Sequence, residues 1–133
     1  MKRILIVDDS KIFQKILIHV LDKHYEIVGT ALNGLEAFEK YKDLKPDLVL
    51  LDITMPNCNG KECLELIKKF DSTANVIMVS SLGDDATIEE CKRLGALTFI
   101  SKNFIRLDQN NKCEPLLDLV DETMLNIWSE KVA

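Results

Sequence analysis

The chain has 133 residues, 47% of them hydrophobic and 29% charged, which suits one globular domain with a single core and no covalent staples. A formal net charge of -5 argues against a surface built to neutralise nucleic-acid phosphates, the pair Lys68-Lys69 being the nearest approach to a basic patch. No apolar stretch reaches the ~18 residues of a membrane span, and Met1-Lys2-Arg3 leads into only four apolar residues before Asp8, so a cytoplasmic protein without a signal peptide or membrane insertion is expected.

Taken in order, Arg3 to Asp8 reads as a first strand, and Ser10 is placed to cap a helix reaching about Lys23. Ile12, Phe13, Ile16, Leu17, Val20 and Leu21 follow helical spacing and are expected on its buried face. Glu26 to Ala31 is a second strand, weakened by Gly29. Asn33-Gly34 opens a helix to about Lys42 that buries Ala37, Phe38 and Tyr41 and closes at Lys45-Pro46. Asp47 to Asp52 contains no polar residue between its ends, the pattern of a central parallel strand covered on both faces. Met55-Pro56 turns the chain, and Asn59-Gly60 leads into a third helix to Phe70, with Cys63, Leu64, Ile67 and Phe70 on one side.

Asn75 to Ser80 is a fourth buried strand ending on the hydroxyls of Ser80 and Ser81. Gly83-Asp84-Asp85 opens a fourth helix that buries Ile88, Cys91 and Leu94 and stops at Gly95. Leu97 to Ser101 is the fifth strand, followed by Lys102. A polar loop, Asp108 to Lys112, precedes a last helix from about Pro115 to Ser129. This alternation predicts an α/β fold: a doubly wound, five-stranded parallel sheet of flavodoxin-like order 2-1-3-4-5, with helices on both faces and right-handed crossovers. Residues 1–133 are read as a single domain, with no interdomain linker and no output domain.

The four cysteines, Cys58, Cys63, Cys91 and Cys113, have neither C-x-x-C spacing nor neighbouring histidines and are expected to be reduced, structural thiols. His19 and His24 are read as surface residues.

Polar residues concentrate just past the strand ends: Asp8 and Asp9 after the first, Asp52 at the third, Ser80 and Ser81 at the fourth, Lys102 at the fifth. In a parallel sheet those ends share one edge, where ligands of open α/β sheets bind. Each group alone has an ordinary reading, as a cap, a strand-end polar group or a solvated charge. Together they form a site. Three crowded carboxylates repel one another, and a hard divalent cation removes that cost; an oxygen-only set suits Mg2+. The metal and the Lys102 ammonium would then neutralise a phosphoryl group on Asp52, with Ser80 donating a hydrogen bond.

These residues stand in motifs that resemble the response-regulator receiver domains of two-component signalling, in their stand-alone, CheY-like form. The carriers are Val7-Asp8-Asp9-Ser10, Ala31-Leu32-Asn33-Gly34-Leu35-Glu36-Ala37, Leu51-Asp52-Ile53-Thr54-Met55-Pro56, Val79-Ser80-Ser81, Gly95-Ala96 and Lys102, spread over about residues 2–104. The resemblance implies that Asp52 accepts phosphate from a histidine kinase. It also implies that Asp9, Asp52 and the Thr54 carbonyl bind Mg2+ directly, with Asp8 acting mainly through water. The amides of Thr54 and Ser81 would hold phosphoryl oxygens. Ser80 and Phe99 would be the switch pair, signalling to a target protein docked on the fourth helix, fifth strand and fifth helix, with chemotaxis or motility as the expected setting. Such a protein catalyses only its own phosphorylation and autodephosphorylation, and a monomer is expected, with dimerisation on phosphorylation as the variant.

Where relatives carry proline after the lysine, Asn103 stands here, and a trans Lys102-Asn103 peptide with a remodelled turn is expected, because a cis bond before a non-proline residue costs roughly 3–4 kcal/mol. Thr54 and Leu82 flank the path of attacking water without an acid or amide to orient it, which predicts slow loss of the phosphoryl group. Three readings rival this one. A flavodoxin-like binding module carries a phosphate loop rich in hydroxyls and glycine after the first strand, where Asp8-Asp9 would repel a phosphate lacking metal. A haloacid dehalogenase-type phosphohydrolase needs a second aspartate where Thr54 stands, and a phosphorylation-independent pseudo-receiver would lack one of the required residues, all of which are present.

Overall fold

Five strands and five helices alternate along the chain in the computed structural model, which describes residues 1–81 and 84–132, with side chains through 129. They are β1 (Arg3–Val7), α1 (Lys11–Leu21), β2 (Glu26–Ala31), α2 (Gly34–Leu44), β3 (Leu48–Asp52), α3 (Gly60–Phe70), β4 (Val76–Ser80), α4 (Asp85–Arg93), β5 (Thr98–Ser101) and α5 (Glu114–Val132). The sheet order is β2-β1-β3-β4-β5, and each neighbouring pair is parallel. The expected flavodoxin-like α/β topology is therefore the observed one.

Strand alternation divides the core. Ile4, Ile6, Leu48, Leu50, Ile77, Val79 and Ile100 face α1 and α5, packing on Leu17, Leu21, Leu116 and Val120. Leu5, Val7, Val49, Leu51, Val76 and Met78 face α2, α3 and α4, packing on Ala37, Leu64, Ile67 and Cys91. The three central strands are buried along nearly their whole length, which is why their sequences run apolar without alternating. The β1–β2 register slips between Ile4 and Leu5, skipping Val28, so that Leu5 pairs with Gly29.

Helix starts follow their caps. Ser10 accepts from the Phe13 N–H, Asn33 from Glu36, and Asn59 with Glu62 completes a reciprocal capping box. At the other end of α2 the Lys45 N–H closes on the Tyr41 carbonyl from a left-handed conformation.

Several expectations from periodicity need correction. Ile12 is 75% exposed, and Gln14 takes the inward place on α1, because it has two backbone carbonyls to satisfy there. Phe70 is 50% exposed at the end of α3, where its ring meets Phe38 edge-on at 6.0 Å rather than entering the core. Leu94 is only half-buried. Helix α5 extends beyond Ser129, to Val132, and α2 runs to Leu44. The four cysteines are free thiols, three of them buried, and His19 and His24 are exposed, with His19 Nε2 3.0 Å from the Asn111 carbonyl. Among the described residues, no helix is long and apolar enough to cross a membrane.

Candidate functional site

Asp8 and Asp52 continue the alternation of Ile4-Ile6 and Leu48-Leu50, so both point to the α1/α5 side of the sheet. The register that pairs Val7 with Leu51 sets them side by side at the carboxyl edge. Carboxylate oxygens of Asp8, Asp9 and Asp52 lie within 4.8 Å of one another, the one such acidic group found among the described residues. Asp9 is exposed, whereas Asp8 and Asp52 each keep only 1% of their surface.

Lys102 reaches this cluster from the end of β5. Its Nζ lies 2.9 Å from Asp8 Oδ2 and 3.4 Å from Asp52 Oδ2, with the Phe13 ring centroid 4.5 Å away. The ammonium is thus held by two carboxylates and an aromatic face. The chain leaves β5 through a 3-10 turn over Lys102–Phe104, capped by Ser101, whose hydroxyl accepts from the Asn103 N–H at 3.2 Å. Among the described residues no peptide bond is cis, so the Lys102-Asn103 bond is trans as expected, and the amide that proline would lack has its partner.

One cation among three acids leaves the cluster short of positive charge. At an effective dielectric near 20, an Asp8–Asp52 repulsion across less than 5 Å amounts to about 3 kcal/mol. Burial, and then the charge of Asp8, push the Asp52 carboxyl up to about 7 against the pull of Lys102. Burial alone would lower Lys102, but the approach of Asp8 and the attraction of Asp52 outweigh it and leave the lysine raised. Asp52 Oδ1 is buried with no hydrogen-bond partner, and Asp8 Oδ2, though beside Lys102, has no aligned donor. Unpaired anionic oxygens converging with a third carboxylate fit a hard divalent cation.

The backbone around Asp52 is held by contacts that sequence spacing did not reveal. After Pro56 the chain turns back through Asn57 and Cys58, both at positive φ, and the Gly60 N–H closes on the Ile53 carbonyl at 2.8 Å. A Cβ on Gly60 would fall 2.2 Å from the Asp52 carbonyl oxygen, so only glycine lets α3 start there. On the other side, Gln14 Nε2 donates to the Asp8 carbonyl at 2.8 Å and the Ala31 carbonyl at 2.9 Å, tying the ends of β1 and β2 together under Asp8. A polar residue at an inward helical position was the available signal for Gln14.

The remaining expected residues lie around this centre. Ser80 is buried at the end of β4 and its hydroxyl donates to the Ile100 carbonyl at 3.4 Å. Phe99 is 38% exposed on β5, with Lys92 Nζ 4.9 Å from its ring. Thr54 is exposed, its hydroxyl 3.5 Å from Asp84 Oδ1, and Asp84 Oδ2 accepts from the Ser81 N–H at 2.6 Å. The sequence marks Asp84 only as part of a helix start. Leu82 and Gly83 lie outside the described residues. A cleft of about 910 Å3 between α2 and α3 includes none of these groups; the chemistry sits on the open sheet edge instead.

The model of the response regulator receiver domain family matches residues 4–111, and the chain belongs to that family. It is accordingly a response regulator of phosphorelay signalling, and a haloacid dehalogenase-type enzyme or pseudo-receiver is not favoured. Its relatives include the chemotaxis protein CheY of Thermotoga maritima, 46% identical over 77% of this chain and 87% of that protein. The chemotaxis protein CheY of Bacillus subtilis is 37% identical over 92% and 97%. Among solved structures, the response regulator domain of Thermotoga maritima CheB superposes with a TM-score of 0.81 at 37% identity, covering 96% of both chains. A CheX-CheY-BeF3-Mg complex from Borrelia burgdorferi gives 0.75 at 35% identity, covering 96% of this chain and 89% of that one.

Proposed function

We propose that Asp52 is the phosphoacceptor of this receiver. A carboxylate oxygen of Asp52 attacks the phosphorus of a kinase phosphohistidine. The P–O bond forms as the P–N bond breaks, and the electron pair leaves with the imidazole. The observation that carries this reading is Asp52 itself: one oxygen is held by Lys102 while the other is buried without a partner at the open end of the sheet. Lys102 holds the nucleophile and offsets charge on the incoming phosphoryl group. The amides of Thr54 and Ser81 would donate to its other oxygens, and the Ser80 hydroxyl would leave the Ile100 carbonyl to donate to it.

Asp8, Asp9, Asp52 and the Thr54 carbonyl would hold Mg2+. Bound there, the ion would neutralise charge shared by the carboxylates and the phosphoryl oxygens.

Movement of Ser80 would be read out at Phe99 and on the face of α4, β5 and α5, where a target protein docks. The exposure of Phe99 next to α4 supports that face, and the chemotaxis proteins among the relatives support a role in chemotaxis. We take this receiver to act in the cytoplasm as a monomer, with dimerisation on phosphorylation as the variant. Acetyl phosphate with Mg2+ should add one phosphoryl group, seen by intact mass, and Asp52→Asn should abolish it; full phosphorylation of that variant refutes the assignment. A phosphatase would instead release phosphate from esters catalytically.

A further inference from the structure

Asp84 makes contacts that its place in the fold does not require. It is the N-cap residue of α4, yet its carboxylate makes no capping bond to that helix. An aspartate in that position ordinarily accepts from the N–H groups of the helix's first turn. Here it turns the other way. Oδ2 takes the Ser81 N–H at 2.6 Å and Oδ1 lies 3.5 Å from the Thr54 hydroxyl, so the side chain bridges the ends of β3 and β4 across the mouth of the site.

A carboxylate and a phosphoryl group are both anionic acceptors, and one N–H cannot fully serve two. We propose that Asp84 is a built-in competitor of the phosphoryl group, occupying the Ser81 amide in the resting protein and being displaced when Asp52 is phosphorylated. This deepens the reading above and rests on it. The freed carboxylate then stands beside the first-turn N–H groups of α4, ending with Thr87, which its side chain does not cap at rest; Asp84, at ψ 8°, turns into the extended backbone of an N-cap residue to reach them. Displacement therefore adds a cap to α4 but gives up both the short Ser81 bond and the Thr54 contact for it, so a net cost remains. The event at the acid cluster thereby reaches a helix of the docking face through one side chain.

The competition lowers the protein's apparent affinity for any phosphoryl-like anion by the occupancy of the resting bond. A charge-assisted hydrogen bond at a half-exposed site corresponds to about a tenfold effect. The test is amide NMR of the whole chain, titrated with beryllofluoride in Mg2+, for the parent, Asp84→Ala, Asp84→Asn and Asp85→Asn. Asp85 is the exposed neighbour and controls for charge alone. Before any beryllofluoride is added, Asp84→Ala should shift the Ser81 amide proton upfield, a result independent of Asp52 chemistry. Half-saturation should then fall about tenfold in Asp84→Ala, less in Asp84→Asn, whose neutral amide oxygen still accepts, and hardly at all in Asp85→Asn. On saturation the Thr87 amide should move downfield in the parent but not in Asp84→Ala. Unaltered half-saturation in both Asp84 variants, or an equal change in Asp85→Asn, overturns the competition. A parent that binds beryllofluoride but whose Thr87 amide stays still overturns the re-capping. A parent that binds none refutes the functional reading, while a Ser81 shift in Asp84→Ala would still establish the resting bond.

Discussion

Replacing Asp52 with asparagine should stabilise the metal-free protein at neutral pH while destroying its proposed function. The folded protein holds the Asp52 carboxyl at about 7 against an ordinary value of 3.8, through burial first and Asp8 second. A raised acid favours its protonated form in the fold. The stability associated with that proton is complete below pH 3.8 and is lost as pH rises towards 7. A difference of about three pKa units corresponds to ~4 kcal/mol at most. Relaxation and solvent at the open sheet edge reduce this to roughly 2–4 kcal/mol. Asparagine cannot ionise, so the variant escapes the loss. In a domain of this size the gain corresponds to about 7–14 °C in Tm. Thermal unfolding of both proteins in EDTA, at steps from pH 4 to pH 8, measures it. The curves should lie together at pH 4 and separate through pH 7, and Mg2+ should narrow the gap by stabilising only the parent. Parallel curves across the whole range would refute the reasoning, because the strain would then not come from ionising Asp52.

Lys102→Met leaves the buried Asp8 and Asp52 facing each other without the ammonium, and should cost about 2 kcal/mol in urea unfolding at pH 8 and less at pH 5, where Asp52 is protonated. Gly60→Ala drives a methyl into the Asp52 carbonyl, so it should destabilise by roughly 2–4 kcal/mol and weaken Mg2+ binding, whereas Ala at the exposed neighbouring Asn59 should cost only the cap, about 1 kcal/mol. Gln14→Leu removes the donor shared by the Asp8 and Ala31 carbonyls and should cost about 1–3 kcal/mol, with faster amide exchange at the ends of β1 and β2. Thr54→Asn supplies an amide beside the expected path of water and should speed loss of the phosphoryl group from Asp52, followed by intact mass after removal of acetyl phosphate.

The sequence by itself determined the architecture and the membership of the site. Unbroken apolar runs at Leu48–Leu51 and Val76–Val79 can only be central strands, and helical patterns between strands force parallel crossovers. Parallel strands then gather their terminal residues on one edge, so Asp8, Asp9, Asp52, Ser80 and Lys102 were legible as neighbours before any coordinates. Backbone chemistry at Asn103 was legible too, because the cost of a cis amide is local. What only the tertiary structure decided depends on neighbours distant in sequence. Gln14 faces inward and Ile12 outward because two carbonyls, one of them on β2, need a donor that periodicity cannot register. Gly60 is irreplaceable because the Asp52 carbonyl passes under it. Asp84 looks like a helix cap in the sequence, and its turn towards Ser81 and Thr54 exists only where the ends of β3 and β4 meet α4. The elevated Asp52 carboxyl follows from the same cause: burial and the crowding of charges are properties of the assembled sheet edge, and no single stretch of chain contains them.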